Sequence, residues 1–165
     1  MSLATIMLGQ LAVSRRVLQD GHEAVPAWRV WTSEGAFIIL TPFDLDKFEQ
    51  RDKALFSISR FMAWKKATGF VLTAGTRLAA SAGRNGEEAL FAVGVSYHER
   101  LGVMQRLRRG EALVFLEPEW LQPFHVDDHY SKLLPLPGTA ISASEAAELA
   151  RLFAKDGALR ATRVS

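Results

Sequence analysis

Between Asp46 and Gly69 the chain carries its longest unbroken helical pattern, and a helix of that length decides how the remaining elements can be arranged. Asp46 can serve as N-cap, with Glu49 three residues on to reach back to its backbone N–H. Phe48, Leu55, Ile58 and Met62 recur at helical spacing and share one face, which Phe56, Phe61 and Trp64 widen in the second half. The C-terminal turns are therefore expected to be nearly enclosed. Lys65 and Lys66 suit the negative end of the helix dipole, and Gly69 tolerates a left-handed closing position. The spacing predicts a central helix over about 46–68, a rod of roughly 30 Å against which a sheet packs.

Elements on either side follow from pattern and punctuation. Leu3, Ile6 or Met7, Leu11 and Leu18 predict a first helix that stops at Gly21. Residues 28–32 and 36–41 flank a short Gly-containing turn and read as a β-hairpin, its second strand apolar on both faces and so central. Strands are predicted at 70–73, with an extension past Gly75, at 89–95 and at 113–116. Gly94 marks a bulge or a close neighbour. For 97–109 a helix is preferred over a hairpin strand. Ser96 and Glu99 resemble a capping box, and Tyr97-His98-Glu99-Arg100 lacks the Gly or Asn of a tight turn. Residues 117–138 read as irregular, and Ser142 with Glu145 opens a last helix ending near Gly157. The expected fold is α+β: a single domain over 1–165 with a mostly antiparallel sheet of five or six strands and helices chiefly on one side. The expected order is α-β-β-α-β-β-α-β-α, with a tail at 158–165 that adds a short strand or frays.

Composition narrows the function classes. A chain of 165 residues with 48% hydrophobic and 23% charged residues can bury a real core and is not a disordered segment. No run of 18 apolar residues predicts a membrane span, and Gln10, Arg15 and Arg16 make the N-terminal stretch an amphipathic helix and not a signal-peptide core. Zero cysteines exclude disulfides, thiol nucleophiles and thiolate metal sites, and fit a cytoplasmic protein. The net charge is only +2, a weak argument for nucleic acid, whose affinity depends on phosphates neutralised.

Three clusters are candidate sites. His125, Asp127, Asp128 and His129 form the densest set of metal-ligand types, with two His at i and i+4; without a third arm the segment reads as a solvated polar turn. Arg100, Arg106, Arg108 and Arg109 form the strongest basic cluster and read as a salt-bridged face before a nucleic-acid surface, since neither exposed aromatics nor a recognition helix accompanies them. Trp120, Leu121 and Phe124 lie in the Pro-rich segment and cover the sheet end or form a partner-binding patch. Ser81–Gly86 lacks the Gly-Lys-Ser/Thr end of a P-loop and reads as a connection.

The order of strand 89–95, a helix from Tyr97 and strand 113–116 resembles the acetyl-CoA site of Gcn5-related N-acetyltransferases. Such a resemblance implies a backbone pyrophosphate cradle at a helix N-terminus, with Gly102 as its first glycine. Glu99 then stands where a basic or amide residue belongs, and Met104 where a small one belongs, so the motif is degenerate. With no complete catalytic constellation and no cofactor motif, the leading expectation is a non-catalytic binding or regulatory module acting through protein contacts or self-association. An acyltransferase, a metal-dependent enzyme and a nucleic-acid binder are the alternatives.

Overall fold

In the computed structural model, which describes residues 2–41, 48–77, 87–122, 130 and 132–164, Ser2 caps the first helix. This helix, α1 (Leu3–Gln19), starts where the Thr5 N–H donates to the Ser2 hydroxyl at 3.2 Å, and Gly21, at φ 84°, follows its end. Strands β1 (Ala27–Thr32) and β2 (Gly35–Leu40) form the expected hairpin; Gly35 sits at φ 123°. The central helix α2 spans Phe48–Trp64; Asp46, its expected cap, lies outside the described residues. Then follow β3 (Gly69–Arg77), β4 (Glu88–Ser96), β5 (Arg100–Arg109), β6 (Leu113–Phe115), β7 (Glu119–Leu121), α3 (Ala143–Leu152) and β8 (Arg160–Val164).

The α+β class holds, and the sheet is larger than expected. Eight strands pair antiparallel throughout, in the order β6-β5-β4-β3-β1-β2-β8, with β7 pairing β5 beside β6. The tail forms an edge strand on β2. Three departures from expectation have clear causes.

The first is β5, where a helix was preferred. Leu101, Val103, Gln105 and Leu107 alternate onto one face, the period of two that a half-buried strand requires. Ser96 serves a turn and not a helix cap: its hydroxyl accepts from the N–H groups of His98 (3.3 Å) and Glu99 (3.2 Å), while its own N–H donates to Glu99 O at 2.8 Å. A serine hydroxyl thus replaces the glycine or asparagine of a tighter turn.

The second concerns the end of α2. Lys66, at φ 54°, takes the left-handed position; Lys66 N–H donates to Ala63 O at 3.2 Å and Ala67 N–H to Met62 O at 2.8 Å, a Schellman closure. Gly69 is instead the floor beneath an indole, because a Cβ there would lie 2.4 Å from Trp31 Cζ2. Along the same helix Leu55, Ile58, Phe61 and Met62 are buried, but Phe56 is 68% exposed.

The third is layering. On one face α2 and α3 cover Trp28, Val30, Phe37, Ile39, Phe70 and Leu72, with Phe61 packed on Phe153 at 4.4 Å between centroids. The other face is covered by α1, whose Leu3, Met7 and Leu11 pack on Val71, Leu90, Ala92, Val103 and Leu107. Gly94 is the close-approach point: a Cβ there would meet Met7 Sδ at 2.7 Å. Among the described helices, α2 and α3 therefore lie on one face and α1 on the other.

Candidate contact surface

The eight-stranded sheet is too wide for one helix. α1 packs on β4, β3 and β5, and among the described residues no helix lies over β1, β2 and β8 on that side. Alternation along the strands assigns this uncovered ground. Trp28, Val30, Phe37 and Ile39 point into the α2 core, so Arg29 and Trp31 of β1, and Ala36, Ile38 and Leu40 of β2, face the α1 side. Pairing of Leu40 with Arg160 and of Ile38 with Thr162 brings those β8 side chains to the same face.

Exposure follows from that geometry. Leu40 is 45% exposed, Val13 on α1 is 61% exposed, and Trp31 and Ile38 are half-buried. A cleft of about 450 Å³ opens between the start of α1 and the strands, lined by Ile6, Arg29, Trp31, Ala36, Ser96 and Glu99 among others. Neither Arg29 nor Arg160 has a hydrogen-bond or ion-pair partner among the described residues. Among the described residues the surface is thus an apolar strip with two arginines that no carboxylate neutralises.

Of the sequence candidates, Trp120 and Leu121 lie on β7. Trp120 pairs with Val103, so it sits on the α1 side at the far flank of the sheet, and it is 46% exposed. Leu121 pairs with Gly102 on the opposite face and is half-buried. Phe124, and the whole set His125, Asp127, Asp128 and His129, lie outside the described residues, as does the Ser81–Gly86 loop. Among the described residues no group of three or more His, Asp or Glu side chains is placed to hold a metal ion. No helix among them is long and apolar enough to cross a membrane.

The arginine cluster is spread along β5 and largely neutralised. Arg106 reaches Glu87 at 3.0 Å and Glu119 at 3.3 Å, and Arg109 reaches Glu88 at 2.5 Å. Exposed pairs of this kind contribute only about 0.2–1 kcal/mol each, but they occupy the cations that a phosphate would need. Arg108 is exposed and shares the Arg106 face, whereas Arg100 stands at the turn end of the strand. The strand also removes the helix N-terminus on which the acetyltransferase resemblance depends: Gly102 is paired to Val93 and Leu121 within the sheet. No pyrophosphate cradle forms there.

Further clefts include one of about 350 Å³ lined by Ala54, Phe56, Leu152 and Leu159 among others, and two larger ones. One of about 600 Å³ lies between the end of α2 and residues 135–141, where the Tyr97 hydroxyl sits 2.9 Å from Pro135 O. Another of about 690 Å³ is lined by His22, Glu23, Thr76, Glu88 and Arg109 together with apolar residues. Glu88 there is already paired with Arg109. The uncovered face escaped the sequence reading because its exposure depends on where α1 lands. The signal available was Gly94, the only β4 position without a side chain, which marks the landing point. Comparison with known proteins returns no match among family models, curated proteins or solved structures.

Proposed function

We propose that this chain is a non-catalytic binding module that acts through protein contacts, and that the sheet face over β1, β2 and β8 is its principal contact surface. The observation that carries this reading is the half-covered sheet: one face presents Leu40 at 45% exposure and Val13 at 61% beside Trp31 and Ile38. Scattered exposed apolar residues are ordinary, but a strip rimmed by polar groups and flanked by a helix is what a contact surface looks like. Trp120 on the short β7 strand supports a second, smaller contact on the opposite flank of the same face.

A thermal-shift screen on purified, chelator-treated protein tests the non-catalytic part. Divalent ions, acetyl-CoA, nucleotides and short oligonucleotides are expected to leave the unfolding temperature unchanged. A saturable rise with one of them, through ligand linkage, would overturn the reading.

A further inference from the structure

Helices packed side by side lie about 8–10 Å apart, and adjacent strands about 4.8 Å apart. The next helix position beside α1 is therefore two strands over. Since α1 rests on β4 and β3, with β5 at its margin, that position is above β1 and β2. Its floor is Arg29, Trp31, Ala36 and Ile38, and the flank of α1 supplies Ile6, Val13 and Val17 as a wall. The far side opens on β8.

Among the described residues, the charged side chains that α1, β1, β2 and β8 contribute here are all basic, and the acids Glu34 and Glu99 stand at one end. Strands β1, β2 and β8 contain no Asp or Glu, and neither does α1. Arg29 and Arg160 stand on the face, with Arg16 exposed on α1. Glu99 lines the cleft at its α1 N-terminal end and is the one acid among the cleft's lining residues.

We propose that this position, which no described helix covers, takes an amphipathic helix from another protein, apolar on its inner side and carrying Asp or Glu along its flanks. This rests on the contact-module reading and names its partner. The six residues of β2 span about 20 Å, which matches a helix of about 13 residues. Inner apolar residues dock on Ile38, Leu40 and Trp31, and flanking carboxylates reach Arg29 and Arg160. Pairing through α1 of a second copy is disfavoured, because α1 has no carboxylate to meet Arg29 and Arg160. The shape is a trough between a helix flank and a sheet, which fits a rod better than a flat lipid surface.

The test uses two labelled helical peptides of about 14 residues, identical in their Leu pattern and differing only in Glu or Lys on the flanks. Fluorescence anisotropy should show saturable binding of the Glu peptide and roughly tenfold weaker binding of the Lys peptide. Added salt should narrow that difference. Arg29→Glu should reverse the preference, and Leu40→Asp, at an exposed position, should weaken both peptides while the circular dichroism spectrum is retained. Equal binding of both peptides, binding untouched by either substitution, or no binding would overturn the proposal. So would recruitment to phosphatidylserine vesicles in place of the peptide, or a dimer that Leu40→Asp dissolves. A protein cross-linked from position 40 in cells would still leave the contact-module reading standing if the peptides fail.

Discussion

Gly69 and Lys66 are three residues apart, and Lys66 holds the role expected of Gly69. The left-handed closing position of α2 belongs to Lys66, at φ 54°, where an L side chain is strained by about 1–2 kcal/mol. Glycine at 69 is required instead by the Trp31 indole packed 2.4 Å from where a Cβ would be. The two substitutions should therefore act oppositely. Gly69→Ala should destabilise the fold by about 1–3 kcal/mol through overpacking. Lys66→Gly should stabilise it by about 0.5–1 kcal/mol, the strain relief reduced by glycine's larger unfolded-state entropy. Chemical denaturation of the two variants checks both signs. Sequence reading found a left-handed terminator here and chose the wrong residue, because the competing demand for glycine comes from a strand 38 positions earlier.

Helices α2 and α3 are joined at the residue scale by one bidentate pair. Arg60 Nε donates to Glu145 Oε1 and Arg60 Nη2 donates to Glu145 Oε2 at 2.7 Å. This hydrogen bonding, aided by the opposite charge and opposed by partial burial, holds the Glu145 carboxyl below the ordinary glutamate range and raises Arg60. A carboxyl lowered in the folded state contributes stability above its unfolded value, about 4.3, and loses it as pH falls through the lower folded value. Glu145→Gln should therefore be less stable than the parent at neutral pH, and the gap should close below about pH 4. A gap independent of pH would contradict the pair's role.

At the scale of elements, β5 is where periodicities of 2 and 3.6 competed. Leu101, Met104 and Leu107 satisfy a helix, and Leu101, Val103 and Leu107 satisfy a strand; the difference lies in Gln105. Gln105 is 5% exposed, accepts from Arg15 Nη1 at 2.9 Å and donates to Leu116 O at 2.8 Å. An inward glutamine breaks the apolar alternation, so the strand signal was hidden in a polar residue whose partners lie 90 and 11 positions away. Gln105→Leu should destabilise by about 1–3 kcal/mol despite its greater hydrophobicity, since the Leu116 carbonyl is left unpaired. By contrast, the hairpin β1–β2, the Ser142–Glu145 cap of α3 and the α1 stripe were legible because each is fixed by neighbours within a few positions.

For the whole molecule, the central fact is a mismatch of width. Among the described residues, α2 and α3 cover one face of an eight-stranded sheet, and α1 covers part of the other. That mismatch is not visible in the sequence, whose pattern predicts five or six strands and irregular chain over 117–138. In the sequence Trp120, Leu121 and Phe124 read as a cover for the sheet end or a partner-binding patch; the structure places Trp120 and Leu121 on opposite faces of one short edge strand, which limits how they act together. The larger strip over β1, β2 and β8 is assembled from residues that each look like ordinary strand positions.

The most direct measurement is photo-cross-linking in the native host from a reactive side chain at position 40, with position 151 on the opposite layer as control. Arg151 is exposed on α3, so the control is equally accessible. The account predicts a discrete protein adduct from position 40, lost when Val13 is changed to Asp, and none from position 151. Equal labelling from both positions, or none from position 40, would contradict it.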